Sequence, residues 1–197
     1  MDSLPILFMS KEAEGREHIA AKTIGALKKH LITDLPLKFY LCVAGSQPYF
    51  DAIVTAIGNN YMQIDNRVFL HKDTAGKAWN FTLHSIFEDG HELLLRMEDD
   101  FLLKDDLDIN TYVELLKTNH AVGMVRLGLM PINLKLFSVG WYDSMNQGHI
   151  FFDCLPTTPY AYSGNPGLIH KRLHDAVGYF HEEHNPGDIE IDFSSRS

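Results

Sequence analysis

The stretch "ELLLRMEDDF", Glu92 to Phe101, decides how the chain reads. Glu92 to Met97 is an apolar run of strand length, and Glu98, Asp99 and Asp100 end it in three consecutive carboxylates. A short, dry run bounded by turn signals reads as a buried strand. Ligands of an open parallel sheet gather beyond the carboxyl ends of its strands, which is where this triplet falls. On extended backbone Glu98 and Asp100 project to one side and Asp99 to the other. Two carboxylates on one side repel, and one pKa rises unless a cation intervenes. A hard divalent ion with oxygen ligands, Mg²⁺ or Mn²⁺, resolves the repulsion. The competing reading of the same three acids is a solvated turn.

Upstream, strand and helix patterns alternate. Pro5 to Ser10 is a short apolar run, and Ala20, Ile24, Leu27 and Leu31 follow at helical spacing. Leu37 to Ala44 reads as a second strand, ended by Gly45. Ser46 is placed to cap a helix with the stripe Phe50, Ile53, Val54 and Ile57, closed by Gly58. Tyr61 to Ile64 fits a short strand, and Trp79, Leu83, Ile86 and Phe87 form a third helical stripe ending at Gly90. This alternation predicts βαβ units and a mostly parallel sheet.

Downstream the pattern changes. Thr111 and Glu114 suggest a capping box for a helix ending near Asn119, with Asp105, Asp106 and Asp108 as its solvated acidic start. Ala121 to Leu127 reads as a strand, and Leu134 to Tyr142 with His149 to Leu155 as a hairpin. Ile169, Leu173, Ala176, Val177 and Phe180 give one helical stripe, followed by a charged tail, Asp188 to Asp192.

The 197 residues fit one domain with a substantial core. The chain is 45% hydrophobic and 22% charged, which sets aside disordered and collagen-like classes. Its net charge of -9, with no Lys/Arg cluster, argues against gripping duplex nucleic acid by the phosphates. Cys42 and Cys154 sit in apolar runs and read as reduced, buried thiols. No stretch resembles a signal peptide or a membrane span, so the expectation is a cytoplasmic protein.

Several alternatives fail on residues. An EF-hand starting at Asp106 would need Gly where Thr111 stands and an acid where Lys117 stands. Gly76-Lys77 is no P-loop, since positions 71 and 78 are His and Ala. His170 and His174 have i, i+4 spacing, but Lys171 breaks the zinc-protease pattern, and surface histidines are the expected reading. Trp141, Tyr142, Tyr160 and Tyr162 suit packing, or stacking on a sugar or base.

A strand ending in an acidic D-x-D-like triplet, preceded by a helix containing "GKAWN" (Gly76 to Asn80), resembles the nucleotide-sugar-dependent glycosyltransferases of the GT-A fold, particularly their family-2-like group. Leu7-Phe8-Met9-Ser10, "CVAGS" (Cys42 to Ser46) and "AYSGNPGLIHKRLHDAVGYF" (Ala161 to Phe180) with "GDIEIDF" resemble its other segments. The resemblance implies a single α/β domain over 1–197, with a Rossmann-like, mostly parallel sheet flanked by helices and a C-terminal hairpin and helix. Residues 1–100 would bind the nucleotide sugar and 101–197 would face the acceptor. It implies Mn²⁺ or Mg²⁺ on Glu98 and Asp100; His181-Glu182-Glu183-His184 reads either as a helix-end polar patch or as supplying His181 or His184 to complete the metal site. It implies donor contacts at Ser10, Ser46, Lys77, Asp99 and Gly164, and a catalytic base at Asp192 or Glu190, with Asp188 behind. The donor would be a UDP-sugar, and the acceptor a glycan, lipid, protein or modified nucleobase. The triplet departs from the pattern by starting with Glu, and the first two strands lack the acids that hold uracil in many relatives. A nucleotidyltransferase on a related fold and a catalytically silent nucleotide-sugar-binding module are the alternatives.

Overall fold

The computed structural model describes residues 3–60, 67–70, 74–127, 137–140, 151–154, 166–184 and 186–196. In chain order the elements are β1 (Leu4–Lys11), α1 (Arg16–His30), β2 (Leu31–Ile32), β3 (Leu37–Ala44), α2 (Gln47–Gly58), β4 (Arg67–Leu70), α3 (Ala75–Glu88) and β5 (Leu93–Glu98). They continue with β6 (Leu107–Asp108), α4 (Asn110–Thr118), β7 (Met124–Arg126), β8 (Phe137–Gly140), β9 (Phe151–Cys154), β10 (Gly167–His170), α5 (Lys171–Val177) and α6 (Pro186–Arg196).

Six strands form the main sheet in the order β4-β3-β1-β5-β10-β7. β1 pairs parallel with β3 and β5, and β3 with β4, whereas β10 runs antiparallel to both β5 and β7. β10 is therefore the one reversed strand in a sheet that is otherwise parallel. The strand order reverses at β1: the chain moves outward through β3 and β4, then returns to place β5 on the other side. In such sheets the crevice for ligands opens at this reversal. Met9 lies opposite Glu98, so the ends of β1 and β5 are level.

Strand alternation divides the core into two layers. Leu4, Ile6, Phe8, Leu93, Leu95 and Met97 face one side, against α1, α2 and α4. Leu7, Met9, Leu94 and Ile169 face the other, against α3, α5 and α6. With apolar side chains on both faces, these strands are dry throughout, which is why they carry no polar alternation. Ser46 caps α2 by accepting a bond from the Tyr49 N–H, as expected.

Several expectations are corrected. The stripe from Ile169 to Phe180 is not one helix. Gly167–His170 is strand β10, which fills the gap between β5 and β7, and α5 spans only Lys171–Val177 before Gly178 at φ 88°. Pairing on two sides outweighs the helical spacing of its apolar residues. The expected tail is helix α6, which seals the second layer with Ile189 and Phe193. Asp108 lies in β6, not in a helix start, and its carboxylate accepts from Asn110 N–H. Thr111 makes no capping box, because the helix already begins at Asn110. The expected strand at Tyr61 to Ile64 lies outside the described residues, as do Trp141, Tyr142, Tyr160 and Tyr162. The hairpin is present as β8 paired antiparallel to β9. Cys42 is a free, buried thiol whose pKa burial pushes up to about 11; the Cys154 side chain is outside the described set. Among the described residues no helix is long and apolar enough to cross a membrane.

Candidate active site

The carboxylate triplet sits at the carboxyl end of β5, and the pleat sorts its first two members. Glu98 continues the face of Leu94 and Arg96, toward α3 and α6; Asp99 turns to the α1 side. The strand stops at Glu98, however, and Asp99 and Asp100 form a turn. Strict alternation therefore does not reach Asp100. One Arg16 guanidinium, at the start of α1, meets Asp99 Oδ1 at 2.6 Å and Asp100 Oδ2 at 3.0 Å through the same Nη2.

Asp99 is enclosed, with its side chain 1% exposed. Arg16 Nε donates to both of its oxygens at 3.0 Å, and Ser10 Oγ donates to Oδ2 at 2.5 Å. With its own proton committed to Asp99, Ser10 accepts from the Tyr49 hydroxyl at 2.6 Å. Thr23 Oγ1 donates to the Asp99 carbonyl at 2.7 Å, and Asp99 N–H donates to Met9 carbonyl at 3.0 Å. The hydrogen bond to Asp99 raises the pKa of Arg16, so the guanidinium stays charged.

Glu98 is held from the opposite side. Arg96, 1% exposed, donates to Glu98 Oε1 at 3.3 Å and lies over the Trp79 ring at 4.6 Å from its centroid. A buried guanidinium needs such partners, one ionic and one aromatic. Burial pushes the Glu98 carboxyl up to about 7; Arg96 pulls it down, while Asp100, Glu190 and Asp99 push it further up. The charges of Asp100 and of Glu190 in α6 thus both act on Glu98 at this strand end.

Beside them, the segment after α5 is fastened to α3. Asn80 donates through Nδ2 to the Phe180 carbonyl at 2.9 Å and accepts from Phe180 N–H at 3.0 Å, pairing both backbone groups of one residue. Thr74 Oγ1 donates to the Glu182 carbonyl, and a Cβ added to Gly76 would lie 2.6 Å from the His181 carbonyl oxygen. Only glycine allows this approach. The two segments bound a cavity of about 570 Å³ lined by Thr74, Lys77, Phe180, His181, Glu182 and Glu183.

The sequence-predicted residues fall into groups. Glu98, Asp99, Asp100 and Ser10 come together at the ends of β1 and β5, with Glu190 close by. Lys77 lines the cavity. Ser46 is tied to Glu12, which accepts from its N–H at 2.6 Å and its hydroxyl at 2.7 Å. Asp192 pairs with Arg196 at 2.7 Å on α6. His184 stacks on His181 at 4.0 Å between ring centroids and is not gathered with Glu98 and Asp100 into one ligand set. Gly164 lies outside the described residues. His174, expected on the surface, is 1% exposed within the second layer, because α5 turns it toward Phe87, Phe180 and Phe193. Arg16, Tyr49, Asn80 and Arg96 escaped sequence reasoning. The lone charge of Arg96 inside an apolar strand was the one available signal.

The donor set suits a hard divalent cation. It offers oxygen only, and burial together with the charge of Asp100 pushes the Glu98 carboxyl up. Among the described residues no group of three or more His, Cys, Asp or Glu is placed to hold a metal ion. Two carboxylates completed by substrate phosphate oxygens and water is the pattern Mg²⁺ commonly takes.

No family model matches the chain. No curated protein matches it. Solved structures do match in fold. Residues 1–349 of Staphylococcus aureus TarS give a TM-score of 0.59 at 14% identity, covering 98% of this chain and 55% of that one. A longer structure of S. aureus TarS gives 0.57 at 14%, covering 98% and 33%. Mouse xyloside xylosyltransferase 1, in its apo form, gives 0.52 at 11%, covering 98% and 81%. The chain thus spans about half of the first and a third of the second. The shared feature is the mixed α/β fold, with its mostly parallel sheet flanked by helices.

Proposed function

We propose that the chain moves a sugar from a nucleoside-diphosphate sugar, a UDP-sugar foremost, to an acceptor hydroxyl on a glycan, lipid, protein or modified nucleobase. The observation that carries this reading is that Glu98, at the end of β5 beside the reversal of strand order, lies within reach of the charges of Asp100 and Glu190. Glu98 and Asp100 would hold Mn²⁺ or Mg²⁺, which when bound neutralises charge on the departing diphosphate. Glu190, whose charge acts on the Glu98 carboxyl, takes the acceptor's proton. The acceptor oxygen then bonds to the anomeric carbon as the bond from that carbon to the diphosphate oxygen breaks. Asp192 stands two residues along α6, about 200° around the helix, on its pair with Arg196. Glu190 is therefore preferred as the base. Lys77, which lines the cavity, would meet the donor as a point charge suited to phosphate. Ser10 and Ser46 fix the backbone that frames the base, through Asp99 and Glu12. The fold shared with a xylosyltransferase supports the same reading.

The test is a thermal-shift panel of UDP-, GDP-, CDP- and dTDP-sugars, with and without Mn²⁺. One donor should raise Tm only with metal, and Glu98→Ala/Asp100→Ala should abolish the rise. A donor shift that ignores both the metal and the double variant would sink the metal-dependent reading and favour a silent binding module. Release of inorganic pyrophosphate from a nucleoside triphosphate would favour a nucleotidyltransferase.

A further inference from the structure

Asp100 lies in a turn beyond the strand ladder, with its side chain 42% exposed. A short carboxylate on such a turn has no fixed direction of its own. Here it has one, because Arg16 Nη2 holds Oδ2 at 3.0 Å. Arg16 in turn cannot swing. Its Nε and Nη2 fork onto Asp99, and Asp99 is locked by Ser10, by Thr23 and by its own N–H on Met9. A planar guanidinium gripping a carboxylate at two points fixes orientation as well as charge. The line of support runs from β1, through buried Asp99 and Arg16, to the exposed Asp100.

A guanidinium 3.0 Å from a cation's ligand weakens cation binding by repulsion. Holding Asp100 still opposes that cost. Only Oδ2 is taken, and a carboxylate has lone pairs on both oxygens, so Oδ1 keeps its capacity to coordinate.

We infer that Arg16 and Asp99 are positioning residues, an outer layer that aims Asp100 at a divalent cation. This rests on the metal-dependent reading above. Outer partners of metal ligands are commonly worth 10- to 100-fold in affinity. Neither residue needs to touch the cation or the donor.

The test uses the full chain and Mn²⁺ itself. Mn²⁺ affinity is read from loss of the free-ion paramagnetic resonance signal, with UDP present and, in parallel, GDP, CDP or dTDP. Arg16→Lys keeps the charge and loses the two-point grip. It should weaken Mn²⁺ binding about 10-fold while Tm stays within a few degrees of wild type. Asp99→Asn should weaken it similarly, and the double variant should be no worse than Asp99→Asn alone, since the pair acts as one unit. Asp105→Asn, an exposed acid apart from the site, should change nothing. If Arg16→Lys does not fold, Asp99→Asn carries the comparison. Wild-type affinity in a folded Arg16→Lys or Asp99→Asn protein would reduce the pair to a structural salt bridge, leaving the metal reading intact. No Mn²⁺ binding by wild type with any of the four nucleotides would overturn both.

Discussion

His174 is a buried imidazole with a defined tautomer. Its Nδ1 lies 3.2 Å from the Gly178 carbonyl and must donate, so Nε2 is bare, and it has no hydrogen-bond partner among the described residues. Burial pulls its pKa from 6.5 down to about 4, with Arg96 and His84 adding to the fall and the Gly178 bond and Asp175 opposing it. Between those two values the unfolded chain takes up a proton that the folded chain refuses. Stability from this group is therefore complete above pH 6.5 and is lost as pH falls toward 4. The loss amounts to about 3 kcal/mol. Urea unfolding at pH 7.5 and pH 4.5 should show it, and His174→Phe should flatten the difference. An unchanged pH slope in the variant would mean that other groups set the acid limit. Sequence spacing singled out His174 but gave it the wrong environment, because His170–His174 spacing says nothing of which side of α5 meets the sheet.

Asn80 decides how one element meets another. It bonds both backbone groups of Phe180, joining α3 to the segment that forms the far wall of the cavity. Asn80→Ala leaves the Phe180 N–H and carbonyl buried without their partner. It should cost about 1 to 3 kcal/mol, measured from the urea midpoint. Donor binding should weaken too, since Lys77 and residues 181–183 would lose their fixed spacing. A variant destabilised but equally tight for donor would separate the staple from the site. The strand–helix alternation up to β5 was legible because each strand is dry on both faces and each helix carries one apolar stripe. β10 was not legible. Ile169 fits a helical stripe as well as a strand, and only open hydrogen-bonding edges on β5 and β7 choose between them.

For the molecule as a whole, the centre of stability is the parallel core of β1, β3 and β5. Leu95 is fully buried between β1 and β10 and packs in the first layer. Leu95→Ala should cost about 2 to 5 kcal/mol, lowering the urea midpoint at unchanged slope. Hydrogen exchange should be slowest in β1, β3 and β5, and faster in the two-stranded β2–β6 pair at the rim. Fast exchange in β5 would place the stable core elsewhere.

The sequence by itself determined the class of the fold and the end of β5 as the place to look. Apolar runs without alternation demand burial on both faces, and three consecutive acids mark where such a strand stops. Tertiary structure alone decided what each acid does. Asp99 became an internal anchor because Arg16, Ser10 and Tyr49 converge on it from 83, 89 and 50 residues away. Asp100 takes its direction from Arg16 rather than from the pleat, because the strand ends at Glu98. The charge of Glu190 acts on Glu98 because α6 exists as a helix, and its rotation was set by Ile189 and Phe193 entering the second layer. Periodicity is a local property and shows in the sequence. Convergence of distant side chains follows from packing, and no window along the chain contains it.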